Sequence, residues 1–354
     1  MYKLYVLNVG HGDSLVLEVI TQQCSKWVVI DCHNRNPHVD SPTLQLLKKN
    51  NVDRIELVVL THPDLDHYSG LHQLIEYYSQ PGKSIGAFKG VVKVDNGFFG
   101  LINSDSEISL VELHELVVDL AKQGKLEFDY LSKDVQFDVT PDLIIRALSP
   151  SGISYDRFIS QAIQRSQNAN SKVKIYKNII SSVLTIEGHD HRTLLCSDAS
   201  RNVLNEVLEN WKRRQKERKE TRVFQVVKVS HHGSNEENHR GLWKDFTKRK
   251  KSKAAISAGR RDHPGLETIK EIINNKVDLF CTNRCDALGG YRMPVVQNLL
   301  DKGLTPLKIE ALGLATLPVI TTKNPLHGDI TFSYDVGSII VNTQTGIGPI
   351  QTLP

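Results

Sequence analysis

Residues 2 to 9, 13 to 20 and 26 to 31 are rich in β-branched, aromatic and alternating apolar side chains, with the glycine turn Gly10 to Gly12 and the polar segment TQQCS between them. That pattern predicts an opening antiparallel meander of three strands. Ser41 followed by Pro42 marks the start of a helix through Leu47, and the apolar run Ile55 to Leu60 reads as a short buried strand. The strand gives way to the polar loop THPDLDHYSG. Beyond it, Leu71, Leu74, Ile75 and Tyr78 recur at helical spacing and predict a helix from about His67 to Tyr78.

Residues from about 84 to 139 read as an insertion, with a strand at Phe88 to Val94 and a helix opened by Ser104, where Glu107 completes a capping box. The strand theme then resumes. SSVLTIE and RTLLCSD form a predicted hairpin across Gly188 to His191, and a helix from about Arg201 carries Val203, Leu204, Val207, Leu208 and Trp211 on one face. Strand FQVVKVS, strand AAISA, helix LETIKEII and strand VDLFC follow in alternation. Two strand-rich halves with helices between and after them predict an α/β (α+β) fold of four layers, an αββα sandwich, rather than a parallel doubly wound sheet. We expect a single domain over residues 1–342 and a loosely ordered tail from 343 to 354, where turn formers dominate.

Composition changes this picture little. The 354 residues are 40% hydrophobic and 24% charged, as in ordinary globular proteins. The N-terminus lacks the features of a signal peptide, and no stretch approaches the roughly 20 apolar residues that cross a bilayer, so the expectation is a soluble protein without a membrane partner. Five scattered cysteines are an odd number and fit a reducing cytoplasm, with Cys281 and Cys285 read as two buried thiols near a strand end. The net charge of +4 is mild but unevenly spread. Two runs, Lys212 to Arg222 and Lys244 to Lys253, gather much of it; each alone reads most simply as a solvated helix face, while Lys248, Arg249, Lys250 and Lys251 are candidates for contact with a nucleic-acid backbone.

The segment His62-Pro63-Asp64-Leu65-Asp66-His67 places four candidate metal ligands in six positions directly after an apolar strand. Aspartates beside imidazoles at a strand end lower their electrostatic cost by binding a cation. Pro63 keeps His62 extended and the loop out of helix, so alternate side chains fan toward one point. Asp31, Asp198 and His231-His232-Gly233-Ser234 each follow a strand, where layered folds collect their active groups. Any one alone is an ordinary turn residue. Their joint occurrence points to a binuclear metal site.

With these residues in place, the sequence resembles the metallo-β-lactamase superfamily, and within it the ComEC-like group, the hydrolase domain of a DNA-uptake channel protein. LNVGHGDSLVLE resembles that group's opening DVGQGD turn, and THPDLDHYSG its H-x-H-x-D-H signature with Asp64 in place of the second His. NIISSVLTIE matches through Asn178 and Ser181, TLLCSDAS through Asp198, VVKVSHHGS through the histidine pair, and SAGRRDHPGLET through His263 and Pro264. Three positions depart from the pattern, with Asn8 and His11 where Asp and Gln are usual and Cys32 where Gly follows the Asp. No histidine lies between Glu115 and Gly188, so the third-motif His of many superfamily members is absent, as it is in the ComEC-like group.

The resemblance implies two divalent metal ions, zinc or manganese. One takes His62, Asp64 and Asp198; the other takes Asp66, His67, the bridging Asp198 and one histidine of the pair, with His231 favoured as ligand and His232 as a substrate or supporting contact. Asp66, His232 and His263 are implied in the catalytic step, and Asp31, Asn178, Ser181 and Ser234 in support of the ligands or substrate. His189 and His191 are expected to be exposed bystanders. The implied activity is hydrolysis by activated water, most simply of phosphodiesters in nucleic acid. The alternatives are another hydrolase, acting on a peptide, lactone or small phosphoester, and a non-catalytic subunit docking a protein partner through the 84–139 insertion.

Overall fold

The computed structural model describes residues 1–91, 110–167, 176–218, 223–259, 262–283, 285, 327–335 and 338–350. The opening meander forms as β1 (Tyr2–Val6), β2 (Ser14–Ile20) and β3 (Ser25–Cys32), each antiparallel to the next. The chain then crosses over through α1 (Pro42–Lys49) to β4 (Arg54–Leu60), which lies parallel to β3. Ser41 caps α1 by accepting from the amide of Leu44 at 3.2 Å, with Pro42 in the first turn as the sequence predicts.

The single helix expected from His67 to Tyr78 is two, α2 (Leu65–Tyr68) and α3 (Leu71–Tyr78), separated at Ser69 and Gly70. The reason is close packing. A side chain on Gly70 would lie 2.7 Å from Cys32 Sγ, and the Gly70 amide donates to the Cys32 carbonyl at 2.7 Å, tying the break to the end of β3.

The ends of the 84–139 segment extend the sheet rather than stand apart from it. β5 (Ser84–Gly90) pairs parallel to β4, α4 (Leu110–Lys122) packs on the outside, and β6 (Glu127–Tyr130) pairs parallel to β5. β5 ends at Gly90, and the last predicted strand residues, 92 to 94, like the helix start at Ser104 with Glu107, lie outside the described residues.

The second sheet begins with β7 (Gln136–Thr140) and β8 (Leu143–Ala147). α5 (Gly152–Gln167) follows, and then β9 (Leu184–Gly188) and β10 (Arg192–Leu195) form the predicted hairpin. α6 (Arg201–Arg218) leads to β11 (Val226–Lys228), α7 (Arg240–Asp245) to β12 (Lys253–Ile256), and α8 (Leu266–Asn274) to β13 (Asp278–Cys281), so that β10 to β13 run parallel. β14 (Ile330–Asp335) and β15 (Ser338–Thr343) return to the first sheet beside β1. Among the described residues the strand orders are β15-β14-β1-β2-β3-β4-β5-β6 and β13-β12-β11-β10-β9-β8-β7.

Alternation along the parallel strands separates two cores. Leu195, Val226, Ala255 and Phe280 join Leu4, Val28 and Ile30 between the sheets, whereas Leu194, Val227, Ala254 and Leu279 face α6 and α8 on the outside. The stripe Val203, Leu204, Val207, Leu208 and Trp211 on α6 is buried there, each large side chain contributing about 1.5 to 3 kcal/mol. With α1, α3 and α4 covering the first sheet, the layering is αββα.

Cys281 and Cys285 are both buried, and burial raises the Cys281 thiol well above its ordinary value. In the tail, Ile350 forms an antiparallel bridge to Leu279, its amide donating to the Leu279 carbonyl at 2.7 Å. No helix among the described residues is long and apolar enough to cross a membrane.

Candidate metal centre

The carboxyl ends of β3, β4, β10 and β11 bring the sequence candidates together. Asp31 is the penultimate residue of β3, the His62 to His67 loop follows β4, Asp198 follows β10 and the His231/His232 pair follows β11. Parallel neighbours in each sheet put these ends side by side. Four non-glycine residues here, Asp31, Ser197, His231 and His232, have φ between 46° and 56°, in the left-handed region that such residues rarely enter. Backbone strain of this kind persists where surrounding contacts fix it, and it collects at functional sites.

Each buried imidazole is anchored at one ring nitrogen and directed inward with the other. His67 Nδ1 lies 2.8 Å from Asp31 Oδ2, and Asp31 is itself held by the amide and hydroxyl of Thr61 at 2.8 and 2.5 Å. The Thr61 hydroxyl in turn lies 2.7 Å from Ser197 Oγ. His232 Nδ1 donates to the Ser257 carbonyl at 3.0 Å, which fixes the tautomer that leaves a lone pair on Nε2. His62 Nδ1 lies 2.7 Å from Ser181 Oγ. The supporting roles expected of Asp31 and Ser181 therefore coincide with contacts made here.

The inward-facing atoms converge. His67 Nε2 is 3.4 Å from Asp198 Oδ1, and His232 Nε2 is 3.7 Å from the same oxygen and 3.4 Å from Asp66 Oδ2. Donor atoms held about 2.0 to 2.1 Å from one tetrahedral ion stand roughly 3.3 Å apart. Moreover, His67 Nε2, Asp198 Oδ1 and His232 Nε2 are buried without hydrogen-bond partners, an arrangement that costs about 1 to 3 kcal/mol per group unless something else satisfies them. The donor set fits a divalent cation.

Electrostatics agree with the geometry. Burial is the largest influence on Asp198 and opposes its ionisation, but His67 and His232 outweigh it and hold the carboxyl well below the usual range. Asp66 is lowered likewise, against burial, by His11, His232 and His67. Conversely, burial disfavours the charged forms of His67 and His232, yet the surrounding carboxylates, Asp198 foremost, raise both. Without a cation, the cluster balances its charge with protons.

His62 and Asp64 stand beside this set, and their polar atoms are engaged. His62 Nε2 is 2.8 Å from Asp64 Oδ2, and the Lys177 ammonium pairs with Asp64 Oδ1. Asp64 occupies the N-cap position of α2, but its side chain makes no capping bond and turns to these partners instead. The compact groups of candidate ligands among the described residues are His67/Asp198/His232, His11/Asp66/His232 and Asp13/Asp31/His67, so His62 and Asp64 do not converge with Asp198 as closely as the second set does.

His231, favoured from sequence, is the more peripheral of the pair. Its Nε2 is 3.7 Å from Asp198 Oδ2, its Nδ1 lies 3.5 Å from Asn178 Nδ2, and burial lowers its pKa. His263 packs edge-on against it, ring centroids 5.4 Å apart, outside the ligand set. Ser234 is used within its own loop, its amide donating to the His231 carbonyl and its carbonyl accepting from Thr268. His189 is exposed, whereas His191 packs against Tyr334 and bonds the Asp335 carbonyl at 2.9 Å.

The basic runs are not at this end. Lys248 to Lys251 precede β12, while the centre sits beyond the carboxyl ends of the strands parallel to it, and Lys250 donates its amide to Lys276, just before β13. α6 starts at Arg201 beside the centre, but Lys212 to Arg218 lie at its far end, more than about 15 Å along the helix axis.

Sequence reasoning passed over several residues that shape the site. Asp13 and Lys228 form an ion pair at 2.9 Å, both about 1% exposed, joining the opening turn to β11 directly below His232. Thr61, Ser197, Lys177 and the Ser257 carbonyl are the others. The Lys in VVKVS and the Asp in the opening turn are the only signals that the sequence carried for the buried pair.

Residues 26–147 match the family described as the beta-lactamase superfamily domain. The matched span runs from β3 to β8 and contains Asp31 and the His62 to His67 loop, about a third of the chain. Together with the αββα layers, the beta-lactamase superfamily match gives the metallo-β-lactamase type of fold. No curated protein sequence matches the chain. Among solved structures it is similar to the metallo-beta-lactamase fold protein YhfI from Bacillus subtilis, at 11% identity over 79% of this chain and 96% of that one, with a TM-score of 0.42. It is also similar to Zn(2+)-bound PqqB from Methylobacterium extorquens, at 11% identity over 65% and 72% with a TM-score of 0.37. A diphosphatase from the PhnP family is similar at 10% identity over 73% and 87%, with a TM-score of 0.39.

Proposed function

We propose that the chain is a metal-dependent hydrolase that cleaves phosphodiester bonds, with nucleic acid as its substrate class. The observation that carries the metal-dependent part is the set of buried, unpartnered atoms His67 Nε2, Asp198 Oδ1 and His232 Nε2, facing one another. Asp66, His67, Asp198 and His232 would hold one ion, which exchanges the roles that the sequence suggested for His231 and His232. His62 and Asp64, with Asp198 shared, are the residues for a second ion, and Lys177 balances the charge of Asp64. Zinc suits the imidazoles and manganese the carboxylates. Bound cations supply charge that acidifies a water molecule and offsets the negative charge developing on the substrate oxygens.

The chain's own residues orient and protonate. Asp31 and the Ser257 carbonyl keep His67 and His232 in the ligating tautomer. His231, partly exposed between Asn178 and His263, is placed to bind the substrate rather than to be buried beneath it. His263, partly exposed beside His231 with its Nδ1 3.9 Å from Asp262 Oδ2, is the residue for delivering a proton to the leaving oxygen. The phosphodiester part is supported by the ComEC-like motifs and by cationic groups at the centre. Arg35 lies against Gly10, next to His11, and Lys177 lies against Asp64.

The test is cleavage of bis(4-nitrophenyl) phosphate, single-stranded DNA, double-stranded DNA and RNA by protein loaded with zinc or manganese. Metal-dependent cleavage that disappears in Asp198→Asn is expected. Cleavage confined to a lactone or peptide substrate would move the assignment to another hydrolase on the same fold.

A further inference from the structure

We propose that His11 is an additional ligand of the ion held by Asp66 and His232, an inference that rests on reading that cluster as a cation site. His11 stands where Gln is usual in the motif that the opening turn resembles. Its Nε2 is 3.0 Å from Asp66 Oδ2, the oxygen that also faces His232 Nε2 at 3.4 Å. The rings of His11 and His232 are 4.4 Å apart between centroids, and ligand atoms of His11, Asp66 and His232 all lie within 4.8 Å of one another. The 3.0 and 3.4 Å separations are close to those of donors around one ion.

The turn that carries His11 is built to reach this point. Gly10 and Gly12 have φ of 75° and 133°, conformations that side-chain-bearing residues rarely adopt. A Cβ on Gly12 would meet the Asp66 carbonyl at 2.5 Å, and one on Gly259 would meet the His11 amide nitrogen at 2.0 Å, so the turn is seated against the ligand loop on one side and the loop after β12 on the other. The Asp13 amide donates to that same Asp66 carbonyl at 3.0 Å, and the Asp13 side chain is locked to Lys228. His11 is thereby held with 16% of its side chain exposed, at the mouth of the centre. A third imidazole moves the donor set from an even split of carboxylates and imidazoles toward nitrogen-rich, which favours zinc over manganese.

The test uses metal-free full-length protein titrated with zinc and, separately, manganese by calorimetry, and with cobalt(II) as a visible-spectrum probe of coordination. Wild type, His11→Gln, His11→Ala and Asp198→Asn are compared. As a ligand, His11 requires that both His11 variants weaken zinc binding by at least about 10-fold. The cobalt spectrum should change in both, with manganese binding less affected. Recovery of wild-type zinc affinity in His11→Gln but not His11→Ala would overturn the assignment, because an amide can replace the donor to Asp66 without ligating the ion. Wild-type binding in both variants would overturn it as well. Wild-type binding in Asp198→Asn would instead remove the underlying reading of the cluster as a cation site, a result distinguishable from failure at His11 alone.

Discussion

At the carboxyl ends of β3, β4, β10 and β11, imidazoles and carboxylates crowd together; at the opposite end of the sandwich a cleft of about 770 Å³ opens among Tyr2, Lys26, Asp142, His191 and Tyr334. The open cleft has the weaker chemistry. There His189 pairs with Asp190 in solvent and His191 is bonded to a backbone carbonyl. At the crowded end, by contrast, three buried ligand atoms face one another without hydrogen bonds. The exposed run Lys248 to Lys251 also belongs to the far end, at the start of β12. What distinguishes the first end as the candidate site is its convergent polar atoms without hydrogen-bond partners, not exposed positive charge.

If the crowded end is the working end, its ligands should be unequal in a definite way. His232→Ala removes a buried ligand and should lower metal-dependent phosphodiester hydrolysis by about 10³-fold, corresponding to the several kcal/mol that a bound cation supplies to the transition state. His231→Ala should cost about tenfold, mainly through KM. The reverse ranking in steady-state kinetics would restore His231 as the ligand.

Beneath the same end, Lys228→Met leaves Asp13 buried without its partner, a loss of about 3 to 5 kcal/mol visible as a lowered Tm. Asp13→Leu combined with Lys228→Met should recover much of that stability. Equal stability of wild type and the single variant would show that the pair is not coupled to folding.

Proton balance offers a smaller, graded test. The lowered Asp66 and Asp198 stabilise the metal-free fold above the ordinary carboxylate pKa of about 4, and that contribution is lost on acidification. The raised His67 and His232 stabilise it fully below about pH 6.5, and that contribution is lost as pH rises through their raised values. A bound cation replaces those protons. The gap in Tm between loaded and metal-free protein should therefore widen from about pH 6.5 upward; a gap independent of pH would count against the cluster as the binding site.

The smallest effect belongs to the far end. Charge reversal at Lys248, Arg249, Lys250 and Lys251 should leave hydrolysis of bis(4-nitrophenyl) phosphate within about twofold, as exposed surface charges contribute little. A fall in nucleic-acid binding with a shallower salt dependence would show a long substrate reaching this end. A large loss on the small substrate would break the contrast between the two ends.

How much of this was legible in the sequence follows from range. The His62 to His67 loop could be read because its candidate ligands are concentrated within one turn of chain, and Asp31, Asp198 and the histidine pair because each ends an apolar strand. Asp13 and Lys228 could not, since 215 positions separate them and a lysine in an apolar strand reads as a solvated edge. Nor could the choice between His231 and His232, which depends on two successive left-handed residues that turn one ring inward and the other to the rim. Nor could the distance of Lys248 to Lys251 from the centre, which depends on the direction of β12: a loop entering a parallel strand lies opposite the loop leaving its neighbour.

Metal content after reconstitution and exhaustive dialysis, measured by mass spectrometry on wild type and Asp198→Asn, tests the central claim most directly. Wild type should retain at least one divalent ion per chain, and Asp198→Asn, with its circular dichroism unchanged, should retain far less. Equal retention in the two proteins, or none in wild type, would contradict the assignment of the cluster as a metal centre.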